Sequence, residues 1–107
     1  MANIGYRQLD FNLTAAGTTQ SDAYEVTSAK NFFSTVASGT GAVLDSDAVG
    51  GDSQLIYNGG ANAVKIYPPS GAAINGLPAN SPALLNVKTG CTFYCGSATQ
   101  WGANLSA

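Results

Sequence analysis

The chain has 107 residues, which is enough for one hydrophobic core and too short for two independently stable domains. Charged residues make up 9% of the chain, against about 25% in an ordinary domain. The net charge of -2 comes without any basic cluster, which argues against binding to nucleic-acid phosphates or to an anionic membrane surface. The sequence has no histidine, so it excludes Ser-His, Cys-His and His-metal sites.

The N-terminal residues 1–22 carry few large apolar side chains after Phe11 and Leu13. They are expected to form either an extended arm or a frayed terminus with an edge strand, and residues 23–107 the main domain. The first residues lack the apolar core of a signal peptide, and no apolar run approaches the ~20 residues that span a bilayer. We therefore expect a protein made in the cytoplasm.

From residue 23 onward, short apolar or alternating segments are separated by glycine, proline and asparagine. Asn58-Gly59-Gly60 favours a tight reversal, because Asn and Gly tolerate positive φ, and it predicts a hairpin from Leu55 to Tyr67. Pro68-Pro69 ends the second strand of that hairpin. The predicted strands are 23–26, 32–36, 42–44, 54–57, 64–67, 73–75, 83–87 and 91–95.

This pattern predicts an all-β chain of about eight or nine short strands without a helix of useful length. The fold class that follows is a single-domain β-sandwich or a jelly-roll-like barrel. No repeat of fixed period is visible in the sequence. Strand order stays open at this point.

The two cysteines are predicted to be free. Cys91 and Cys95 lie in one predicted strand, so their Cα atoms are about 13 Å apart, beyond the ~7 Å limit for a disulfide. They alternate with Thr92 and Tyr94, which predicts two small buried apolar side chains. A metal site is disfavoured because no further cysteine or histidine could complete it.

The acidic loop offers the one clustered set of carboxylates, Asp45, Asp47 and Asp52. They could in principle form a catalytic pair or a calcium loop. Their Ser- and Gly-rich context favours a solvated turn, in which Asp and Ser bond to nearby backbone groups. We therefore expect no enzyme activity, no catalytic residue, no metal and no cofactor.

The C-terminal half carries two motifs. The segment VKIYPPSGAAING matches the pattern VK-I/V-YP-x-SG-x-x-ING, and SATQW follows it. In these motifs the chain resembles small virion proteins of tailed bacteriophages. The matching residues are Val64, Lys65, Ile66, Tyr67, Pro68, Ser70, Gly71, Ile74, Asn75, Gly76, Ser97, Ala98, Thr99, Gln100 and Trp101.

The resemblance implies a viral structural protein: a capsid decoration or cement protein that binds the major capsid protein on the outer surface of the head, as a trimer. The alternative is a receptor- or glycan-binding module of a tail or fibre. The predicted partner-contact residues are Tyr67, Pro68, Pro69 and Trp101, chosen for rigidity and apolar area. For Trp101 a role in capping the core is an equal alternative.

Overall fold

A computed structural model of the protein describes residues 8–105 and consists almost entirely of strands and turns. The predicted all-β class is confirmed. The described residues contain one short 3-10 turn, Gln20–Asp22, and ten strands rather than the predicted eight or nine. The strands are β1 Leu9–Thr14, β2 Tyr24–Glu25, β3 Lys30–Thr35, β4 Gly41–Val43, β5 Ser53–Asn58, β6 Val64–Tyr67, β7 Ala73–Ile74, β8 Ala83–Leu85, β9 Thr89–Ser97 and β10 Gln100–Ala103.

The chain winds as a short β-solenoid. Strands β1, β3 and β5 pair in parallel in one sheet, and β2, β4 and β6 pair in parallel in the other. The chain passes from one sheet to the other after each of these strands. The last four strands complete the sheets, giving a six-stranded sheet of order β1-β3-β5-β9-β10-β7 and a four-stranded sheet of order β2-β4-β6-β8.

The predicted β-sandwich or jelly-roll-like barrel is therefore wrong, because successive strands stack in parallel coils. The predicted hairpin from Leu55 to Tyr67 is also wrong. Strand β5 pairs with β3 and β9, whereas β6 pairs with β4 and β8. Asn58-Gly59-Gly60 does turn the chain, but into the opposite sheet.

The core lies between the two sheets and follows the alternation of each strand. In β5, Gln54, Ile56 and Asn58 are buried, while Ser53, Leu55 and Tyr57 point to the other side. Cys91 and Cys95 are free and buried on the inner side of β9, as their spacing predicted. The largest fully buried apolar side chains are Phe33, Phe93, Leu44, Ile56, Ile66 and Ile74.

The predicted N-terminal segment is continuous with the solenoid in the described residues. Strand β1 is an edge of the six-stranded sheet, and residues 15 and 16 bond to Thr35 and Gly41 through the backbone. Gln20 donates a hydrogen bond to the carbonyl of Pro68 at 2.7 Å. Residues 1–7 of the predicted arm lie outside the described residues, as do residues 106 and 107 of the predicted main domain.

Candidate interaction surface

The acidic loop forms turns. One oxygen of Asp45 accepts a hydrogen bond from the backbone N–H of Asp47 at 2.9 Å, and one oxygen of Asp52 accepts from that of Val49 at 3.0 Å. Within residues 8–105 no group of three or more Cys, Asp or Glu side chains is arranged to hold a metal ion. These carboxylates serve the backbone of the loop, as expected for short polar side chains in turns.

The four predicted contact residues lie inside the molecule. Tyr67, Pro68 and Pro69 are buried, and Trp101 is only 4% exposed within the hydrophobic core. The hydroxyl of Tyr67 donates a hydrogen bond to the carbonyl of Thr18 at 3.2 Å. Their side chains therefore have little surface to offer a partner, and their role in contact stays a prediction.

The ends of the two sequence motifs lie side by side at one edge of the six-stranded sheet, whereas Val64–Tyr67 of the first motif forms β6 in the four-stranded sheet. Ile74 of β7 pairs in parallel with Trp101 of β10, and the N–H of Asn75 donates to the carbonyl of Trp101 at 2.9 Å. The Asn75 amide also exchanges hydrogen bonds with both backbone groups of Ala103, each at 2.8 Å. Ile74, Asn75 and Trp101 thus join β7 to β10, which gives this part of the motifs a structural reason.

Three of the seven large apolar side chains that are exposed in the described residues, Leu9, Phe11 and Tyr94, lie on the outer side of the six-stranded sheet. Strand alternation turns Phe32, Leu55, Tyr57 and Tyr94 away from the core, and Leu9 pairs outward beside Lys30. We define the outer apolar face as Leu9, Phe11, Phe32, Leu55, Tyr57 and Tyr94. Contiguous apolar surface of this kind marks sites of interaction on soluble proteins.

Three aromatic rings form a row across this face. The centroids of Phe11 and Phe32 are 5.9 Å apart, and those of Phe32 and Tyr57 are 5.3 Å apart. The first ring is 66% exposed. Strand β1 shifts register between Asp10 and Leu13, and Asn12 adopts a φ of 64°, so a bulge places Phe11 beside Phe32.

A groove of about 160 Å³ runs along the aromatic row. We call it the aromatic groove; it is lined by Phe11, Asn12, Phe32, Phe33, Ser34, Tyr57 and Gly59. None of these residues carries a formal charge. The groove can therefore accept apolar or neutral polar groups without burying an unpaired ion.

A second depression of about 300 Å³ adjoins Leu55 on the same sheet. It is more polar, because Lys30 and Asp52 bring charges of opposite sign and Ser53 and Thr92 bring hydroxyls. These charged and hydroxyl groups could hydrogen-bond to a polar ligand.

Burial controls the titration of the two thiols. Desolvation raises the pKa of both Cys91 and Cys95 above the ordinary value of 9.0, and for Cys95 the nearby charge of Asp52 adds to the rise. Both side chains therefore remain neutral thiols near pH 7. Such thiols are poor nucleophiles.

Sequence reasoning missed the outer apolar face. It placed Phe11 and Leu13 in an arm or edge strand without predicting a binding role, and it could not tell which of Phe32 and Phe33 faces outward. The available signal was the large aromatic side chain of Phe11 between two polar residues, Asp10 and Asn12, in the predicted edge segment. A strand that exposes a large apolar side chain at a sheet edge usually needs a cover.

Comparison with family models finds no match for the chain. Comparisons with curated proteins and with solved structures find no match either. In the described part of the chain, no helix is long and apolar enough to cross a membrane.

Proposed function

We propose that the protein is a capsid decoration or cement protein of a tailed bacteriophage. It binds the major capsid protein on the outside of the head and stabilises the shell, after synthesis in the host cytoplasm. Copies act together as trimers, as the motif resemblance implies. The function is binding without turnover.

The outer apolar face is the observation that carries this proposal. A chain with so few charges has little electrostatic repulsion to keep it apart from other molecules, and it leaves large apolar side chains in water. Such a surface is expected to be covered in the working state of the protein. The shell of a virion would offer this surface many identical binding sites.

The size of the face fits a contact that acts in multiple copies. The face spans the four strands β1, β3, β5 and β9, which at a spacing of about 4.8 Å and a length of about 20 Å make an area on the order of 400 Å². A standard stable interface buries about 800 Å² on each partner. One face is therefore a weak contact, and an oligomer on a repeating lattice gains strength through effective concentration.

The test is binding to phage heads that lack the protein. Wild-type protein should co-sediment with these heads and raise the temperature at which they release DNA. Leu9→Ser should weaken binding, because it removes apolar area from the outer apolar face. The control is Leu84→Ser, the same substitution on the four-stranded sheet at a side chain that is 58% exposed, against 51% for Leu9.

Equal loss of head binding in both leucine variants would contradict the assignment of the face. No binding of wild-type protein to such heads would contradict the function itself.

A second candidate, a receptor- or glycan-binding module of a tail or fibre, is favoured by one observation. The aromatic row adjoins the polar depression with Lys30, Asp52 and Ser53. Sugars bind where an aromatic face meets hydrogen-bonding groups, because their rings have an apolar side and a polar rim. A carbohydrate array without a hit would remove this candidate.

A further inference from the structure

The aromatic groove is preformed. The Tyr57 ring rests against two glycines: a Cβ added at Gly59 would lie 3.4 Å from its Cε2 atom, and one added at Gly90 would lie 3.3 Å from its Cδ1 atom. Phe32 packs on the same ring. A groove with fixed walls binds without first ordering its own side chains, which lowers the entropic cost of association.

A complementary protrusion lies elsewhere on the same chain. We define the Leu77 loop as residues 75–82, which contain no charged residue. Leu77 is 40% exposed, and Pro78 and Ala79 beside it are exposed as well. The loop thus presents a small apolar knob to solvent.

Backbone and side-chain hydrogen bonds hold the Leu77 loop in place. The side-chain oxygen Oδ1 of Asn80 accepts a hydrogen bond from the N–H of Gly71 at 2.6 Å, and the backbone N–H of Asn80 donates to the carbonyl of Ala72 at 2.8 Å. The N–H of Leu77 donates to the carbonyl of Ile74 at 2.9 Å. Because these hydrogen bonds already fix the loop, little conformational entropy is lost when its exposed leucine binds.

The Leu77 loop and the aromatic groove match in size and charge. A cavity of about 150 Å³ lined by apolar side chains holds a benzene molecule, which is close in size to a leucine side chain. Neither surface has a formal charge to desolvate. The other exposed aliphatic side chains differ, because each has a charged neighbour. Leu9 is next to Lys30 across strands, Leu84 is next to Lys65 across strands, Val87 precedes Lys88, and Val49 lies between Asp47 and Asp52 in the chain.

The two surfaces cannot meet within one molecule. The aromatic groove centres on β3, and the Leu77 loop follows β7 at the far edge of the same sheet. Four strand spacings separate β3 from β7, about 19 Å. If the Leu77 loop fills an aromatic groove, the groove must therefore belong to a second copy.

We infer that the Leu77 loop of one copy inserts into the aromatic groove of the next. Because the two surfaces differ, the contact is heterologous and generates a closed ring or an open chain of copies. The inference concerns contact between copies, and it does not depend on binding to a capsid. The inserted loop would cover Phe11, Phe32 and Tyr57 and leave Leu9, Leu55 and Tyr94 of the outer apolar face for the capsid.

The test is the mass of the purified protein in solution, measured by light scattering and sedimentation. Wild-type protein should form assemblies larger than one chain. Leu77→Ser and Phe11→Ser should each be monomeric at the same concentration, and Leu84→Ser should keep the wild-type mass. All three changes are at exposed positions, so circular dichroism should report an unchanged fold.

Mixing the two defective variants gives the sharpest result. The intact loop of Phe11→Ser can enter the intact groove of Leu77→Ser. The reverse contact would have to join the altered loop of Leu77→Ser to the altered groove of Phe11→Ser, so it should not form. An equimolar mixture should therefore form complexes of two chains and nothing larger. A mixture that stays monomeric, or a Leu77→Ser variant with wild-type mass, would overturn the inference.

The two proposals fail in different ways. A wild-type monomer that still binds heads would overturn the contact between copies and leave the capsid function standing. Assemblies that form as described but do not bind heads would overturn the capsid function and leave the contact between copies standing.

Discussion

Buried amide side chains fasten the corners of the solenoid. Gln54 is fully buried, and its oxygen accepts a hydrogen bond from the N–H of Asp45 at 2.9 Å. Its nitrogen donates to the carbonyls of Val26 and Ser28 at 3.2 and 3.1 Å. One side chain thus satisfies backbone groups from two successive corners, which have no ladder partner there.

Replacing Gln54 by leucine should destabilise the protein by about 3 kcal/mol. The side chains are similar in volume, but leucine leaves buried backbone groups without partners, at about 1–3 kcal/mol each. Urea unfolding followed by circular dichroism measures the change. Gln100→Leu, at an exposed position in β10, should stay within about 0.5 kcal/mol of wild type; similar losses in both variants would contradict this role of Gln54.

The turn before β2 depends on the charge of one carboxylate. Backbone N–H donation from Thr19, followed by donation from its hydroxyl, lowers the pKa of Asp22 below the ordinary value of 3.8. A lowered pKa in the folded state stabilises the protein above the unfolded pKa, and that stabilisation is lost as pH falls through the folded value.

The stability gap between wild type and Asp22→Ala should therefore be constant near neutral pH and narrow once pH falls below about 3.8. Thermal unfolding of both proteins between neutral and acidic pH measures it. A gap that is equally wide at every pH would show that the charge of Asp22 has no part in holding the turn.

At the scale of the element, the corner between β5 and β6 shows why a turn motif did not make a hairpin. Asn58 faces the interior, where its amide donates to the carbonyls of Asn62 and Leu85 at 2.9 and 3.0 Å. Its oxygen accepts from the N–H of Gly60 at 2.9 Å. These bonds direct the chain across the core to the other sheet, and Gly60 allows the backbone to pass close to Val36.

Gly60→Ala should be clearly destabilising, because the added Cβ would lie 2.7 Å from the backbone nitrogen and Cβ of Val36. Overpacking of this kind costs about 1–3 kcal/mol. Gly102→Ala is the matched control, since nothing lies within 4 Å of a Cβ added there. Chemical unfolding of both variants decides the point, and a neutral Gly60→Ala would show that the corner can relax.

For the molecule as a whole, the scarcity of charge and the outer apolar face both favour association through uncharged surfaces. With only four basic and six acidic residues, we expect the contacts of this protein to depend little on ion pairs. Association through uncharged surfaces depends on the hydrophobic effect, which excluded salts such as sulfate strengthen.

Self-association should accordingly change little as sodium chloride rises from about 0.05 to about 0.5 M, a range over which exposed charges become strongly screened. Ammonium sulfate at moderate concentration should strengthen it. Sedimentation velocity at each salt concentration makes the measurement. A steep weakening with sodium chloride would mean that ion pairs, not the aromatic groove, join the copies.

Local pattern was enough to locate most strands. The predicted segments 54–57 and 64–67 coincide with β5 and β6 within a residue, because turn residues and apolar alternation act over a few neighbours. The burial of Cys91 and Cys95 followed from the same alternation. Phe32 and Phe33 are adjacent, so alternation alone could not decide which of them faces the core.

The sequence by itself determined an all-β chain, free buried thiols and the positions of its turns, since each of these depends on residues close together in the chain. Only the tertiary structure decided that the strands stack in parallel coils, because unequal coil lengths leave no fixed repeat to read: Leu9 pairs with Lys30, and Lys30 with Leu55. It also decided that Trp101 is buried and Phe11 exposed. Which side of a strand meets water depends on what packs across from it, and that partner is distant in sequence.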